Sequence, residues 1–432
     1  MTPPKPDSIR PPAFAYRCEG RGTSAILFCE GANLGQLAAR YGTPLYVCSS
    51  ANIRTRLREF KRAFRYVSHT ICYSVKANST LSVLRLIAGE QAGFDVVSGG
   101  ELRRVLRAAP KAASKVVFSG VGKTVPEMEL ALRSGILLFN IESASELDAL
   151  AAVAARLKKK ALIALRVNPD VSAKTHPYIS TGLHEHKFGV PLPEALELYL
   201  EAATHPYLRV AGVSVHIGSQ ITDVSSFNDA LTRVAEIVRD LRAAGHDIQY
   251  VDAGGGLGIS YRETEESFAG QVADYARAVI EPLRKLKVHL LLEPGRSIVG
   301  SAGVLLTRVI YRKTNNGKRF LIVDAAMNDL LRPSLYGAHH EIVPVQLSSL
   351  ERETTDVVGP VCETGDFLAR ERELPVMQEG DLLAILDAGA YGSTLSSNYN
   401  TRGRAAELLV DQGRTRLIRK RESASDQMRL EL

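Results

Sequence analysis

The chemistry in this chain gathers where short apolar runs give way to polar residues. Ile71-Cys72-Tyr73-Ser74-Val75-Lys76-Ala77-Asn78 reads as a strand ending in a lone ammonium. Side chains alternate across a strand, which puts Cys72, Ser74 and Lys76 on one face. The C-terminal edge of a sheet is where α/β folds collect their chemistry. An amine partly desolvated there has its pKa lowered enough to attack an aldehyde. The competing reading is a surface lysine just past a strand, the common fate of lysines. Lys76 alone does not choose between them.

Other strand ends carry groups of matching kind. Val251-Asp252 runs into Ala253-Gly254-Gly255-Gly256-Leu257-Gly258, where glycines let backbone N–H groups approach an anion such as a phosphate. This is not the dinucleotide fingerprint, because the spacing and the downstream acid differ, and a tight turn accounts for the run as readily. Leu292-Glu293-Pro294-Gly295-Arg296 sets a carboxylate, a guanidinium and a glycine turn on one rim. The carboxylate could keep a heteroaromatic nitrogen protonated, and the arginine could take a phosphate or carboxylate with two hydrogen bonds. A surface ion pair is the alternative. Val215-His216-Ile217-Gly218-Ser219 offers an imidazole that could stack on a flat cofactor and a hydroxyl for its phosphate, although a lone histidine here is more often a packed or hydrogen-bonded core residue. Asp95, Ser98, Gly99, Gly100 and Glu101 close a further strand in the same manner. Arg332 with Tyr336, Cys362-Glu363, and Ala388-Gly389-Ala390-Tyr391-Gly392 are ordinary loops when read singly.

The elements that must position these groups alternate. Between Pro44 and about Arg296, strand-like runs (Leu45–Cys48, Ile71–Val75, Phe94–Val97, Val116–Ser119, Leu137–Asn140, Leu162–Val167, Val210–His216, Tyr250–Asp252, His289–Leu292) are separated by amphipathic helical stretches such as Ala144–Leu157 and Phe227–Ala243. Repeated β–α units imply a parallel sheet, and at this length a closed (β/α)8, TIM-like barrel is expected over an open sheet. After Arg296 the strands Val304–Tyr311, Phe320–Val323, Glu353–Val358, Leu382–Leu386 and Leu408–Leu417 have little helix between them. They predict a second, mostly antiparallel β domain of barrel or sandwich type. The expected division is a disordered leader over 1–20, a segment over 21–43 (with Ala25–Cys29) pairing with the β domain, a barrel over 44–300 and the β domain over 301–432.

Bulk properties exclude several function classes. The 432 residues exceed one typical core, and 45% hydrophobic with 23% charged residues is ordinary soluble composition. No apolar run approaches the ~20 residues of a membrane span. The net charge of +7 is spread along the chain with acids among the bases, so the short clusters Lys158-Lys159-Lys160 and Arg414 to Arg421 read as solvated faces and no nucleic-acid partner is expected. Cys18, Cys29, Cys48, Cys72 and Cys362 are odd in number, dispersed and without metal-ligand spacing, which fits the reducing cytoplasm and no metal site. The leader has prolines at 3, 4, 6, 11 and 12 and only Asp7 as an acid before Glu19. The lack of acids leaves an organelle transit peptide open, but the prolines oppose the amphipathic helix such a peptide uses.

Taken together, the chain resembles the fold-type III pyridoxal-phosphate-dependent decarboxylases, and within them the diaminopimelate branch. The resemblance runs from about Ala25 to Val410 and rests on Tyr73–Asn78, Asp95–Glu101, Val167–Asp170, Lys174–Gly182, Lys187–Gly189, His216–Ser219, Gly254–Gly258, Glu293–Arg296, Asp324–Tyr336, Gly359–Asp366 and Gly389–Tyr391 in family order. It implies a pyridoxal 5'-phosphate linked to Lys76, with Asp95, Pro294 and Gly295 around it. Ser219, Gly255 and Gly256 within the glycine turn, Arg296 and Tyr391 would hold the phosphate. Glu293 would face the pyridine nitrogen and His216 the ring. It also implies a homodimer in which Cys362, a candidate proton donor, comes from the second subunit, though Lys76 is an alternative donor. Ser74 and Ala326 depart from the common alanine and glycine, and neither change removes a charge or ligand.

Residue chemistry narrows the implied substrate. A distal ammonium alone, as in ornithine, calls for acids, whereas here Arg332 stands with Arg296, Tyr336, Glu363 and Tyr391 in the substrate set. Guanidinium groups repel a bare diamine and pair with a distal carboxylate, while Glu363 takes a distal ammonium. meso-2,6-Diaminopimelate satisfies both, and its decarboxylation gives L-lysine, the last step of lysine biosynthesis. The rivals are an ornithine, arginine or carboxynorspermidine decarboxylase of the same fold, a racemase of that fold, which usually lacks the acid at Glu293, and a non-catalytic pyridoxal-phosphate-binding regulator.

Overall fold

The computed structural model describes residues 13–18, 25–169, 187–261, 267–347 and 351–432. They fall into two compact units, one made of Arg56–Ile259 and Glu266–Ser297, the other of Met1–Thr55, Ser260–Glu265 and Ile298–Leu432.

The first unit is a closed barrel of eight parallel strands: β1 His69–Ser74, β2 Gly93–Val96, β3 Val116–Phe118, β4 Leu138–Ile141, β5 Ala161–Arg166, β6 Leu208–Ser214, β7 Tyr250–Asp252 and β8 His289–Leu292. Each strand lies beside the next in sequence, and β8 closes on β1 with Leu290 opposite His69 and Leu292 opposite Ile71. Helices cross between them, as a right-handed β–α–β connection requires. Ser98 and Ser143 start two of these helices by accepting, on their side-chain oxygens, the N–H groups of Glu101 at 3.2 Å and Glu146 at 3.3 Å. Ser98 and Glu101 are therefore explained locally, since Glu101 also accepts the Val97 N–H at 2.8 Å.

The interior of the barrel follows the two-residue period of its strands. Cys72, Val117, Leu138, Ala164, Ala211 and Leu291 form one buried apolar cluster. Two residues further on, within β1 and β4 and just past the ends of β3 and β8, come Ser74, Asn140, Ser119 and Glu293. The same face therefore turns from apolar to polar toward the C-terminal ends of the strands. A dry plug lies below and a layer of polar side chains above it.

The second unit is built on a nine-stranded sheet with a small four-stranded sheet beside it. Most neighbours are antiparallel, but Lys318–Val323 pairs parallel with Arg352–Val358, and Ala406–Asp411 pairs parallel with Leu45–Ser49. Alternate residues feed two cores: Leu45, Val47 and Leu306 belong to one, Tyr46, Leu305 and Ile385 to the other. Ala25–Cys29 pairs with Gln346–Leu347 of this unit.

Three expectations need correction. Leu45–Cys48 was expected to open the barrel, but the strand formed there, Leu45–Ser49, lies between Gly303–Asn315 and Ala406–Asp411 in the second unit. All five of its residues are buried, and a run buried on both faces looks alike in either sheet. The leader expected to be disordered over 1–20 contains the strand Phe14–Cys18, paired antiparallel with Ala25–Cys29. Phe14 and Tyr16, two residues apart, are both buried and hold it there. Residues 1–12, 19 and 20 lie outside the described residues. Finally, Leu408–Leu417 is a hairpin, Ala406–Asp411 and Arg414–Arg419, rather than one strand. Its two turn residues, Gln412 and Gly413, have φ of 53° and 77°, a backbone that glycine advertises in sequence and glutamine does not.

Candidate active site

Lys76 lies just beyond β1 rather than on it, in the short 3-10 turn Val75–Ala77. The turn is held by the end of β8. Ser74 N–H donates to Pro294 O at 3.2 Å, and a Cβ on Gly295 would stand 3.0 Å from Ser74 Cβ and 3.1 Å from Ala77 Cβ. Glycine is thus the residue that lets the two strand ends meet. The turn does not separate Lys76 from Ser74 in function. Lys76 Nζ reaches Asp95 Oδ2 at 3.4 Å and Ser74 Oγ donates to the same oxygen at 2.7 Å. The Lys76 side chain is 37% exposed while that of Asp95 is fully buried. The hydroxyl at position 74 thus orients a buried acid.

Two further buried carboxyls share the floor of this site. Ser119 Oγ donates to Glu293 Oε1 at 3.0 Å, and Asn140 Nδ2 donates to Ser119 Oγ at 3.0 Å and to Asp252 Oδ2 at 2.7 Å. The Gly254 N–H donates to Asp252 Oδ1 at 2.9 Å. Burial raises the pKa of Glu293 well above the usual carboxylate range, and the charges of Asp252 and Asp95 push it the same way against the opposing pull of Lys76. Asp252 is raised too, first by burial, but hydrogen bonds from Asn140, Glu293 and Gly254 favour its ionised form. Glu293 is therefore the member of the pair that keeps the proton. Asp95 Oδ1 has no hydrogen-bond partner among the described residues, a buried acceptor aimed at a site that a ligand could complete.

The glycine run brings three strand ends into contact. A Cβ on Gly254 would lie 2.4 Å from Val215 O, one on Gly255 2.2 Å from Glu293 O, and one on Gly256 2.4 Å from Gly218 O. The run is thus a tight turn and a close-approach device at once. The Gly255 N–H donates to His216 Nδ1 at 3.1 Å. A ring nitrogen that accepts carries no proton, so His216 is neutral with its hydrogen on Nε2. Burial first, then the charges of Arg166 and Lys76, lower its pKa well below the ordinary histidine range. Arg166 Nη2 also donates to His216 O at 3.4 Å, while its Nη1 is paired with buried Glu142 at 3.1 Å. Arg296, itself buried, donates from Nη2 to Ser219 Oγ at 3.1 Å. A guanidinium, a hydroxyl and a glycine turn without room for side chains are the donor chemistry a phosphate needs. The protonated acid and the neutral imidazole suit a pyridine ring. These residues fit pyridoxal phosphate.

The second unit carries the other expected residues. Arg332 opens the short helix Arg332–Tyr336, which Gly337 ends with φ of 58°. Arg332 is buried and Tyr336 half-buried. Cys362 and Glu363 are exposed on a turn pinned from within, where Asp366 accepts the N–H groups of Val361 at 2.8 Å and Met327 at 2.7 Å. Cys362 N–H donates to Asn400 Oδ1 at 2.9 Å, and Tyr399 Oη donates to Glu363 Oε2 at 3.2 Å. Tyr391 has φ of 54°, a left-handed backbone costly for an aromatic residue and common at functional sites.

Comparison with known proteins is decisive. Residues 50–300 match the family model described as the pyridoxal binding domain of pyridoxal-dependent decarboxylases. The chain is 52% identical over 413 residues to the diaminopimelate decarboxylase of Pseudomonas aeruginosa, covering 96% of this chain and 97% of that one. It is 50% identical over 406 residues to that of Neisseria meningitidis serogroup A, covering 94% and 99%. The chain belongs to the diaminopimelate decarboxylase family. Among solved structures, the diaminopimelate decarboxylase from Helicobacter pylori, complexed with L-lysine, superposes with a TM-score of 0.88 at 45% identity and covers 92% of this chain and 99% of its own.

As a diaminopimelate decarboxylase family member, the chain shows its strand-end residues in a richer network than its motifs suggest. Ser119, Asn140 and the carboxyl of Asp252 were passed over as groups of the site, although each closes an apolar strand-like run and is buried. That position was the available signal. Asp170 and Lys174–Gly182 of the family pattern lie outside the described residues; of the flanking parts, Gly189 N–H donates to Glu142 Oε2 at 3.0 Å.

The carboxyl pair makes a prediction for this family member. An unfolded glutamate ionises at a pH of about 4.3, but folded Glu293 retains its proton well above that. The folded state then binds more protons, so stability falls as pH rises through that window, by at most about 1.4 kcal/mol per pH unit. Glu293→Gln removes this term. In urea unfolding of cofactor-free protein, the variant should gain on the wild type as pH is raised from 5 toward 8, and it should lose turnover once cofactor is added. Parallel stability curves would show that Glu293 is ionised in the folded protein.

Proposed function

We propose that the chain decarboxylates meso-2,6-diaminopimelate to L-lysine, the closing reaction of lysine biosynthesis. The observation that carries this reading is full-length similarity at about half identity to diaminopimelate decarboxylases, one of which was solved with L-lysine, the compound this reaction forms. The chain is a pyridoxal-phosphate-dependent carboxy-lyase of that family.

Roles follow from the chemistry of each side chain. Lys76 would hold the cofactor through its amine, by condensation with the aldehyde and loss of water, and Asp95 beside it would stabilise the protonated form of that nitrogen. Arg296, Ser219, the amide of Gly256 and Tyr391 would hold the phosphate, with Gly255, whose N–H goes to His216, and Pro294 and Gly295 fixing the turns beneath. Glu293 would present a proton to the pyridine nitrogen, with the Asp252–Asn140–Ser119 network holding that carboxyl in place. His216, locked neutral by the Gly255 N–H, offers its flat face to the ring without adding a charge that would oppose ring protonation. When bound, pyridoxal phosphate draws off the electron pair released as carbon dioxide leaves. Arg332 and Tyr336 take the distal carboxylate, and Glu363 the distal ammonium.

The protein works as a homodimer in which a second copy supplies Cys362 and Glu363. Support comes from their exposure in the single chain, on a turn held rigid by Asp366. Cys362 is the group that returns a proton to the carbon that lost its carboxylate, with Lys76 as the alternative. The five cysteines are all free thiols, which accords with the cytoplasm. Among the described residues no helix is long and apolar enough to cross a membrane.

Side-by-side measurement of carbon dioxide release should show turnover of meso-diaminopimelate and little of ornithine; a preference for ornithine would overturn the substrate reading. Shared sites make a second expectation. Lys76→Ala and Cys362→Ala should each be nearly inactive alone, yet mixing them under conditions that exchange subunits should restore activity, because one mixed dimer site then has both groups. If mixing restores nothing while exchange is demonstrated by mass, Lys76 and Cys362 serve the same chain.

A further inference from the structure

Arg332 is held by groups that the reaction does not otherwise use. Its Nη1 donates to His340 Nε2 at 2.7 Å, and its guanidinium carbon stands 4.7 Å from the centre of the Tyr261 ring. His340 is completely buried. Its other nitrogen, Nδ1, lies 2.8 Å from Leu386 O. A carbonyl oxygen only accepts, so Nδ1 carries the hydrogen and Nε2 presents a lone pair to the arginine. The imidazole is neutral and its tautomer is set by the sheet. Leu386 in turn is fixed, because its N–H donates to Glu341 O at 2.8 Å where Ile342–Pro344 pairs with Leu382–Ile385. The Tyr261 ring meets the imidazole nearly edge-on, 5.2 Å between centres and 71° between planes.

A chain of contacts thus runs from sheet backbone through His340 to the guanidinium. One of its five N–H bonds is committed to His340, which fixes the plane and rotation of the fork. The choice of partner matters electrostatically. A carboxylate in the place of His340 would hold the arginine equally well but offset its charge, whereas an imidazole leaves the attraction for an incoming carboxylate undiminished by that contact. The Tyr261 face favours the same cationic group.

We propose that His340 is a positioning residue for substrate selection: it orients Arg332, with Tyr261 packed against both, so that the guanidinium meets the distal carboxylate of the substrate. The proposal rests on the reading of Arg332 as the partner of that carboxylate. It separates the two ends of selection. Arg332 supplies the charge, and His340 supplies the geometry.

Two substitutions dissect the imidazole. His340→Asn retains a donor near Nδ1 for Leu386 O but is too short to reach Arg332. His340→Gln places an acceptor near Nε2. Loss of a hydrogen bond to a charged group should raise the KM for diaminopimelate about tenfold in His340→Asn, with kcat within about threefold of wild type. Inhibition by lysine, whose carboxylate is that same distal group, should weaken in step. His340→Gln should recover most of the affinity, and the absorbance of bound cofactor should be unchanged in both. Adding His340→Asn to Arg332→Ala should cost nothing further, because the contact is already gone. An unchanged KM in His340→Asn, with a raised KM in Arg332→Ala, would overturn the positioning role and leave the arginine reading intact. An unchanged KM in Arg332→Ala would overturn the arginine reading itself. Equal losses in Asn and Gln, accompanied by lower melting temperatures, would reduce His340 to a structural residue and also overturn the proposal.

Discussion

The structure depends on a crowding of acid. Asp95, Asp252 and Glu293 end three strands of one barrel with carboxyls that solvent does not reach, and the ammonium of Lys76 stands beside the first of them. Three buried negative charges cannot be kept so close. The site resolves this by dividing the work. Asp95 faces Lys76 and Ser74, Asp252 is stabilised by Asn140 and the Gly254 N–H, and Glu293 keeps a proton. The result is a floor with one held proton and one cation, into which a basic heteroaromatic ring and an aldehyde both fit.

The barrel makes this arrangement possible by simple periodicity. The interior face of each strand alternates with the exterior, so an apolar plug and a polar upper layer need only a change of residue type two positions on. The carboxyls then arrive from different strands at a common level. Their loops must also pass close to one another, and the three glycines from 254 to 256 meet backbone or near-backbone atoms of the neighbouring loops where any Cβ would collide. Those glycines read in the sequence as an anion turn or as a tight turn. They are the second by necessity, and within that turn the N–H groups of Gly254 and Gly255 go to Asp252 and His216.

Much of this was legible because strands, helices and strand ends carry local signals. The eight barrel strands follow the expected runs, and the alternation that joined Cys72, Ser74 and Lys76 holds for the first two, while Lys76 lies in the turn just past the strand. Where reading failed, the deciding information was not local. Leu45–Ser49 is as apolar as any barrel strand, and only its partners assign it to the other sheet. Phe14–Cys18 sits in a proline-rich stretch, and burial of two aromatic rings overrides that composition. His340 has no motif at all. Its importance lies in a contact with Arg332 eight residues earlier and a carbonyl forty-six residues later, distances that no periodicity encodes. That Glu293 rather than Asp252 keeps its proton is equally invisible in a string of letters, because it depends on burial and hydrogen bonds that the fold creates.

The account stands or falls on Lys76 being the amine that receives the cofactor at the barrel mouth. Borohydride reduction of the yellow, cofactor-loaded protein makes that bond permanent, and peptide mass mapping then locates it. The account predicts the added mass on the peptide that contains Lys76 and no labelling in Lys76→Ala. Labelling of a different lysine in the wild-type protein would contradict it.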